Sequence, residues 1–454
     1  MKNKTISNNK KVVIIGCSGN GAHAAIMTKR LEPSADVTIV REEEHLLVRC
    51  AVPYIIAGEV TLESCYKSDD MFTNAGIKLI DSKATGIDRV NKTVATENGG
   101  VYPYDKLVLA TGGIPIKPKI PGSDISGVFT TRTGLDALAI QDWMKSNSIR
   151  SAVVIGASAV GLEVATAISR TGVAVTTIEM LAHVLPIATD TDISQEVERH
   201  LIDKGISLRM NQTAARILGN RKVTGVELAS GEKIDTEMVI LAIGVRPRWE
   251  LAEAAGLEKG RFGLKVNQYL QTSDPNIYAG GDLIEYKNFI TGKPTAGQLR
   301  PNAVMTGRLI AKNILGYDAE LPGVLNTFVT KLADISLAST GITEKAAQQE
   351  EMEIIIAKRS AESKHSMIEG KELYTIKLLF ERKTQKIIGG QMVGYSECAV
   401  RHIDVIAVAI KCGLTINELT TMACAGQPEL SPDPGTAPVA LIAEDAFLQL
   451  RNVT

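Results

Sequence analysis

The sequence predicts an α/β protein with two Rossmann-like domains and a C-terminal α+β domain. The first observation is a repeat: Lys11–Gly21 (KVVIIGCSGNG) and Ala152–Gly161 (AVVIGASAVG) are each a short β-rich run that enters a glycine loop. The second is that a helical pattern and another apolar strand follow each loop, which completes a βαβ unit. The third is a change of texture from about Thr327, beyond which no further glycine loop occurs. A chain of 454 residues also exceeds one hydrophobic core, so two or three domains are expected.

The elements of the two units follow in the same order along the chain. The predicted helix and strand after each loop are Ala22–Leu31 with Val37–Val40, and Leu162–Arg170 with Val173–Ile178. Return strands that end in small residues are predicted within Tyr104–Gly113, Thr236–Gly244 and Asp274–Asp282. The last of these follows the second unit, so we expect it to complete the first unit, which the second one interrupts.

These elements define the predicted domain boundaries. Residues 1–118 and 249–326 form a discontinuous first domain, and residues 119–248 form a second domain inserted in it. Residues 327–454 form the third, in which strand-like segments precede a helical stretch: Leu373–Phe380, Lys386–Val393 and then Ala399–Cys412. No low-complexity linker separates the domains, so we expect them to pack firmly.

Composition excludes several classes of partner. The formal net charge is −1 and the aromatic fraction is 4%, which argues against nucleic-acid binding. No stretch reaches the roughly 20 apolar residues that cross a bilayer, and the N-terminus is polar, so a cytoplasmic protein with no membrane partner is expected. None of the six cysteines forms a CxxC pair, so no structural metal site is expected.

The two glycine loops predict two dinucleotide sites. A glycine loop between a strand and a helix lets the backbone approach a pyrophosphate, and the helix N-terminus supplies free N–H groups. Each loop departs from the usual spacing, because a serine stands at or beside the position of its middle glycine. The candidate contacts are Gly16, Ser18, Gly19 and Gly21 in the first loop, and Gly156, Ser158 and Gly161 in the second.

The residue that ends the second strand of each unit indicates which dinucleotide is bound. Glu179 ends this strand in the second unit, where a carboxylate accepts hydrogen bonds from a ribose 2′-OH and repels a 2′-phosphate. NADH is therefore favoured over NADPH. In the first unit the matching residue is Arg41, followed by Glu42. Two alternatives stay open there: Glu42 takes the ribose role, or Arg41 binds another phosphate.

These residues carry a family resemblance over nearly the whole chain. The motifs are Gly16–Gly21, Cys50 with Ala51–Tyr54, Ala110-Thr111-Gly112, Gly156–Glu163, Gly244–Pro247 and Tyr278–Asp282. The chain resembles the pyridine nucleotide-disulfide oxidoreductases, in the branch of NADH oxidases, NADH peroxidases and coenzyme A-disulfide reductases. The resemblance implies FAD in the first domain, with Thr111 and Gly112 beside it and Asp282 on its ribityl chain, and NADH in the second, near Gly244. It also implies a homodimer in which the C-terminal domain covers the partner's active site.

Cys50 is the predicted redox centre. The single-cysteine branch of the family places its redox cysteine there, beside the flavin, and a thiolate is the reactive form. Two-cysteine reductases need a second cysteine where this chain has Ile55, so Cys50 must react with an external partner. Arg49 is adjacent and is a candidate substrate contact. By the same resemblance, NADH reduces the flavin, Glu163 lies near the nicotinamide, and electrons pass through Cys50.

The subtype within the family depends on further positions. Peroxidases and water-forming oxidases of the family carry a histidine where this chain has Gly19, and peroxidase-like proteins carry an aromatic residue where it has Ala159. Direct peroxide reduction is therefore disfavoured. Coenzyme A-disulfide reductases carry a basic pair near the end of the first helix, which Lys29 and Arg30 match. Their partner-subunit tyrosines have no evident counterpart around Met367 and Gly426–Gln427, so coenzyme A itself is left open.

Three functions remain at this stage. The first is an NADH-dependent reductase of a small disulfide, persulfide or polysulfide; the second is an NADH oxidase that reduces O2 at the flavin. The third is a subunit that passes electrons from NADH to a protein. A further hypothesis is that Cys424, which precedes AGQPELSP, resolves Cys50 across the dimer.

Overall fold

The computed structural model of the protein describes residues 10–397 and 399–451. Up to residue 115 the elements are β1 (Lys11–Ile15), α1 (Gly19–Leu31), β2 (Asp36–Arg41), β3 (Leu46–Leu47), α2 (Val52–Ala57), β4 (Tyr66–Lys67), α3 (Asp70–Thr73), β5 (Lys78–Asp81), β6 (Ala84–Asp88), β7 (Thr93–Thr96), β8 (Val101–Pro103), β9 (Lys106–Leu109) and β10 (Gly113–Pro115). Up to residue 247 they are β11 (Val128–Thr130), α4 (Gly134–Ser146), β12 (Ser151–Ile155), α5 (Ala159–Arg170), β13 (Ala174–Ile178), α6 (Thr191–Asp203), β14 (Ser207–Arg209), β15 (Ala214–Gly219), β16 (Val223–Leu228), β17 (Lys233–Asp235), β18 (Met238–Leu241) and β19 (Val245–Pro247).

The remaining elements include the last strand of the first sheet and the C-terminal domain. Up to residue 314 they are α7 (Glu250–Ala254), β20 (Ile277–Ala279), β21 (Tyr286–Lys287), β22 (Pro294–Thr295) and α8 (Arg300–Ile314). Beyond it they are β23 (Phe328–Leu332), β24 (Ile335–Gly341), α9 (Glu344–Gln349), β25 (Ile354–Glu362), β26 (Leu373–Glu381), β27 (Ile387–Gly394), α10 (Ile403–Cys412), α11 (Ile416–Thr420) and α12 (Pro438–Arg451).

Two parallel sheets of the same design form the first two layers of the molecule. The first has the strand order β20-β9-β1-β2-β5 and the second β11-β18-β12-β13-β14. In both, the central strand leads into the glycine loop and pairs with the strand that follows the helix. Strand β1 reads KVVII, and its four apolar residues are buried because helices cover the sheet. Strand β20, which follows the second sheet along the chain, pairs with β9 and so belongs to the first sheet.

The helices of both units begin earlier than predicted. Helix α1 begins at Gly19 and α5 at Ala159, whereas apolar periodicity placed the two starts at Ala22 and Leu162. The small residues of each loop already form the first helical turn, which carries no apolar signal. Helix α1 packs against α8, where a Cβ atom at Gly307 would lie 2.4 Å from the Asn20 carbonyl oxygen.

The C-terminal domain is a separate antiparallel layer. Its sheet has the strand order β23-β24-β27-β26-β25, and α10 and α12 pack on it. Strand β27 is buried along its whole length, which explains the apolar run that predicted it. The α-helix predicted from residue 399 begins at Ile403, after a short 3₁₀ turn. Together with the two parallel sheets, this layer confirms the predicted fold class.

The C-terminal domain is fixed to the second sheet's layer by apolar and ionic contacts. Helix α6 places Ile193, Val197 and Leu201 in one cluster with side chains of the C-terminal sheet, Leu332 and Val393 among them. Beside this cluster, Lys377 of β26 is 1% exposed. We name Lys377 with the carboxylates around it, Asp190, Asp192 and Glu344, the Lys377 cluster. The Nζ atom of Lys377 lies 3.2 Å from Asp190 and 2.7 Å from Asp192, and Lys377 also pairs with Glu344.

Candidate active site

A cavity of about 870 Å³ opens at the carboxyl ends of the first sheet, where open α/β sheets bind ligands. Strands β1, β2, β9 and β20 all end at its wall. It brings together residues that are far apart along the chain. Of the predicted site residues, those in its lining are Gly16, Ser18, Gly19, Arg41, Glu42, Arg49, Thr111, Gly112 and Asp282.

The first glycine loop forms the floor of this cavity. Gly16 has φ +105°, and a Cβ atom there would lie 2.3 Å from the carbonyl oxygen of Ala110. A Cβ atom at Gly21 would lie 2.0 Å from the carbonyl oxygen of Gly16. Both positions therefore require glycine, and the loop can turn tightly enough to present its backbone to the cavity.

The second loop has the same geometry. Gly156 has φ +107°, and its Cβ atom would lie 2.5 Å from the Ala242 carbonyl oxygen, while one at Gly161 would lie 2.1 Å from the Gly156 oxygen. The Ser158 hydroxyl accepts a bond from the Gly161 N–H at 3.4 Å. Because the matching contacts recur in both units, the sequence repeat corresponds to a repeat of backbone shape.

The start of helix α1 supplies donors to the cavity. Ser18 is the N-cap residue, and its side chain makes no capping bond among the described residues. The first N–H groups of this 13-residue helix therefore face the loop without a side-chain acceptor. A dinucleotide pyrophosphate fits this arrangement of close backbone and free donors.

Arg132 is a cavity residue that sequence reasoning missed. Its guanidinium donates to Asp282 at 2.7 Å, and its Nε is buried without a partner among the described residues. A buried unpaired donor in a cavity wall indicates that a bound polar group completes its bonding. Arg132 lies between β11 and α4, outside any glycine motif, so no local pattern indicated it.

The small residues of the return strands shape the cavity wall. The Thr111 hydroxyl donates to the Arg248 carbonyl oxygen at 2.8 Å, and Gly112 has φ +68°. Gly244 has φ +103° with open space around it, at the turn before β19. Strands β10 and β19 pair with each other and so join the chain segments that leave the two parallel sheets.

The structure separates the two alternatives at the end of β2. The Arg41 guanidinium is 3% exposed and donates to Asp69 at 2.6 and 2.7 Å and to Asp81 at 2.5 Å. The Arg41 guanidinium is thus bonded to two carboxylates, which favours Glu42 over Arg41 as the contact to the dinucleotide. Glu42 lies in the cavity lining and pairs with Arg248 at 2.6 Å.

Cys17 lies in the cavity lining, but its thiol is unreactive. Burial raises the pKa of its thiol to about 12, although the neighbouring Arg41 opposes the shift. The thiol therefore stays protonated at neutral pH and is a weak nucleophile. This leaves Cys50 as the reactive candidate beside the cavity.

Cys50 is exposed in the turn that leads into helix α2. The side chain of Arg49 reaches the cavity wall, where it donates to the Arg132 carbonyl oxygen at 3.0 Å and to Glu43 at 2.6 Å. Helix α2 packs against α4 and α5 of the second unit, and its apolar residues belong to that unit's cluster. The Cys50 segment therefore connects the cavity of the first unit to the helix that follows the second loop.

Glu163 lies on that helix and contacts the C-terminal domain. Its Oε1 accepts a bond from the Thr330 hydroxyl at 2.7 Å. Burial raises the pKa of Glu163, and the Thr330 bond opposes the shift. A carboxyl with a raised pKa at a domain junction is a candidate functional group.

Glu179 lies against the second glycine loop. It is 8% exposed, and its carboxylate accepts bonds from the N–H groups of Ala157 at 2.8 Å and Leu181 at 3.0 Å. These bonds place the negative charge at the loop, where the ribose of a dinucleotide would lie.

A second concavity, which we name the basic groove, runs along helix α8. It has a volume of about 540 Å³ and is lined by apolar side chains with Arg300, Arg308 and Lys312. His23 of α1 lies close by: burial lowers its pKa, and Arg308, Arg300 and Arg30 lower it further. The groove meets the main cavity at Gly19, whose Cβ atom would lie 3.9 Å from Arg300.

The two predicted basic residues of α1 differ in their surroundings. Lys29 donates to the carbonyl oxygens of Pro33 at 2.6 Å and Ala35 at 3.0 Å, so it stabilises the turn after the helix. The charge of Arg30 lowers the pKa of His23, as the charges of Arg300 and Arg308 do, so Arg30 lies on the side of α1 that faces the basic groove. This favours Arg30 over Lys29 as a substrate contact.

The C-terminal residues singled out in the sequence, where the structure describes them, lie at or near its surface. Met367 is exposed, and Cys424 is half-buried, with its thiol 3.9 Å from the Met422 carbonyl oxygen. Cys398 lies outside the described residues. The hypothesis that Cys424 resolves Cys50 stays a prediction.

Comparison with known proteins places the chain in a family. Residues 10–307 match the pyridine nucleotide-disulphide oxidoreductases, and residues 327–438 match the dimerisation domain of that family. An NADH oxidase from Methanocaldococcus jannaschii is 34% identical, over 97% of this chain and 100% of the relative. An NAD(P)H coenzyme A polysulfide/persulfide reductase from Pyrococcus horikoshii is 34% identical, over 93% and 96%.

A solved structure supports the same family assignment as these two relatives. The NAD-dependent persulfide reductase from A. fulgidus superimposes with a TM-score of 0.93 at 32% identity, covering 98% of this chain and 84% of that one. No helix in the described part of the chain is long and apolar enough to cross a membrane. The resemblance predicted from the sequence is confirmed. The chain belongs to the pyridine nucleotide-disulphide oxidoreductases, a family of oxidoreductases that depend on FAD and NAD(P)H.

Proposed function

We propose that this protein oxidises NADH and reduces a sulfur–sulfur bond of a small acceptor through Cys50. Cys50 carries this proposal, because it is exposed, lies next to a residue of the cavity wall, and is on a segment whose apolar residues pack in the second unit's cluster. The names of relatives as persulfide and polysulfide reductases support it.

The main cavity is the proposed FAD site. The loop Gly16–Gly21 and the start of α1 would hold the pyrophosphate, Glu42 the adenosine ribose, and Arg132 with Asp282 the polar chain toward the flavin. When bound, FAD accepts a hydride from the nicotinamide and supplies electrons to sulfur. The protein's own contribution is to bind, orient and exclude water, and the domains proposed for this are residues 1–118 with 249–326 and residues 119–248.

The proposed chemistry at Cys50 balances as thiol–disulfide exchange. The thiolate attacks one sulfur of the acceptor, forms a mixed disulfide and releases the other sulfur as a thiolate. Two electrons that originate from NADH then cleave the mixed disulfide, which restores Cys50 and releases the second thiolate. Ile55 stands where a second local cysteine would be needed, so the acceptor itself provides the partner sulfur.

The basic groove favours an acceptor that carries phosphate. Arg300, Arg308 and Lys312 place positive charge beside an apolar floor, and the groove meets the main cavity at Gly19. Arginine binds phosphate through paired N–H donors. A coenzyme A-type disulfide or persulfide, with phosphates at one end and sulfur at the other, suits this arrangement. Relatives named for coenzyme A support it.

Arg308→Ala tests the groove. We expect the KM for coenzyme A disulfide to rise by about tenfold, because one charge-assisted phosphate contact is lost. The KM for polysulfide, which has no phosphate, should not change. Steady-state kinetics with both acceptors measure this, with Arg261→Ala on the surface of the same unit as the control. Equal effects on both acceptors would exclude the groove as the phosphate site.

NADH is the proposed electron donor, held by the second loop with Gly244 and Glu163 nearby. Glu179→Gln should lower the preference for NADH over NADPH by about tenfold, because the charge that repels a 2′-phosphate is removed. The ratio of kcat/KM for the two donors measures this. Glu237→Gln is the matched control, since Glu237 also accepts two backbone N–H bonds in this unit. An unchanged ratio would show that Glu179 acts only on loop shape.

Reduction of O2 is the second candidate, because the relative from Methanocaldococcus jannaschii is named an NADH oxidase. An acceptor screen separates the two candidate functions. It compares the rate of NADH oxidation without oxygen, in the presence of a disulfide or polysulfide, with the rate in air alone. The first proposal requires faster oxidation with the sulfur acceptor.

We further propose a homodimer formed through residues 327–454, which the dimerisation-domain match supports.

A further inference from the structure

An ion pair lies across the main cavity. Arg248 Nη1 and Glu42 Oε2 are 2.6 Å apart, and both residues line the cavity. The two belong to chain segments some two hundred residues apart in the sequence. Sequence reasoning considered Glu42 as a ribose contact but did not consider Arg248.

Both partners are held at their backbones. The Arg248 N–H donates to the Gly112 carbonyl oxygen at 2.9 Å, and its own carbonyl oxygen accepts from the Thr111 hydroxyl at 2.8 Å. Arg248 is thereby fixed at the carboxyl end of β9. Glu42 follows Arg41, whose buried guanidinium is held by Asp69 and Asp81, so the carboxyl end of β2 is fixed as well.

The sheet order shows what the pair crosses. Strands β9 and β2 flank β1 on its two sides, and β1 leads directly into the loop Gly16–Gly21. A bond from the end of β9 to the end of β2 therefore passes in front of the end of β1 and the loop. A ligand that lies along the loop would therefore lie beside this bond.

We propose that the Arg248–Glu42 pair is a clamp that retains FAD in the main cavity, an inference that rests on the proposed FAD site. One oxygen of Glu42 is bonded to Arg248, which leaves the other to accept a bond from the adenosine ribose. Arg248 is a positioning residue: it orients Glu42 and closes the adenosine end of the cavity. Arg209 makes a pair of similar exposure with Glu232 at 3.1 Å, and neither of these residues lines the cavity.

The exposure of the pair defines the effect to expect. Arg248 and Glu42 are 39% and 46% exposed, so the pair contributes little to the stability of the fold. The pair instead slows the dissociation of FAD, because FAD leaves only when the bond between Arg248 and Glu42 is broken. An exposed pair is also screened by salt, so release should accelerate with ionic strength.

The test measures FAD release from the purified holoprotein by the rise in flavin fluorescence after dilution. Arg248→Ala should release FAD about two- to fivefold faster, the range that a pair of this exposure supports. Arg248→Lys should restore slower release. In the Glu42→Gln background Arg248→Ala should add nothing, because the bond is already absent. The salt dependence of release should fall in Arg248→Ala and in Glu42→Gln. Arg209→Ala is the matched control and should release FAD at the wild-type rate.

Two results would overturn the clamp. One is wild-type release from Arg248→Ala; the other is a full additional effect of Arg248→Ala in the Glu42→Gln background, which would indicate that Arg248 binds the ligand independently. Failure of the proposed FAD site is a separate outcome, because a wild-type protein that purifies without flavin and takes none up would show it before any variant is compared.

Discussion

Cys50→Ser should lower anaerobic reduction of coenzyme A disulfide or polysulfide by at least about a thousandfold. A serine hydroxyl cannot form the mixed disulfide, so the exchange step is lost and no neighbouring group replaces it. Cys17 cannot substitute, because burial holds the pKa of its thiol at about 12. The rate of NADH oxidation with each acceptor, measured without oxygen, gives the effect.

Cys412→Ser is the control for this substitution, since Cys412 is also exposed but lies at the end of α10 in the C-terminal domain. It should leave the rate unchanged. Oxidation of NADH in air should persist in Cys50→Ser, because that reaction does not need the thiol. Retention of disulfide reduction by Cys50→Ser would remove Cys50 from the reaction and favour the oxidase candidate.

Lys377→Met should destabilise the protein by about 3–5 kcal/mol, the largest stability effect that we expect in the domain junction. The substitution removes the one cation from the centre of the Lys377 cluster and leaves Asp190, Asp192 and Glu344 facing each other. Asp190 is itself buried and also bonded to Gln391, so it cannot turn to solvent. Chemical denaturation of the holoprotein measures the loss. Lys358→Met is the control: it contacts Asp192 from the exposed side and should cost far less.

The Lys377 cluster also sets a pH window for stability. Burial acts to lower the pKa of Lys377, but bonds to Asp192 and Glu344 raise it above its ordinary value. The stability that this shift contributes is fully present below the ordinary lysine pKa and is lost as pH rises through the raised value. Burial acts to raise the pKa of Asp192, but Lys377 and Lys358 lower it, so its contribution is lost as pH falls through the lowered value. Lys377→Met should make the free energy of unfolding less dependent on pH at both the acidic and the alkaline end of this window.

The fold was predictable from sequence because it repeats a local pattern. In each unit, a buried apolar strand, a loop with glycines and a return strand ending in small residues follow in order, and β1 and β12 are the strands where this pattern is strongest. The helix starts at Gly19 and Ala159 were predicted too late, because the first turn of each helix consists of small loop residues without periodicity.

The site was only partly predictable, because several of its residues meet through the topology alone. Glycines and Glu42 follow strands in a recognisable order. Arg132 and Arg248 come from connecting segments, and no spacing relates them to the first loop. Arg41 was open to a phosphate role because its partners, Asp69 and Asp81, are distant in sequence; their bonds, seen only in the structure, favour Glu42 instead. The basic groove likewise depends on α8 packing against α1.

An anaerobic NADH titration of the purified protein, followed by visible absorption, shows whether Cys50 takes part in the redox cycle. We expect a yellow protein whose reduced form shows a long-wavelength band from the Cys50 thiolate beside the flavin. The same titration of Cys50→Ser should bleach the flavin without that band, while Cys412→Ser retains it. Identical spectra for the wild type and Cys50→Ser would exclude Cys50 from the redox cycle and leave direct reduction of O2 as the function to pursue.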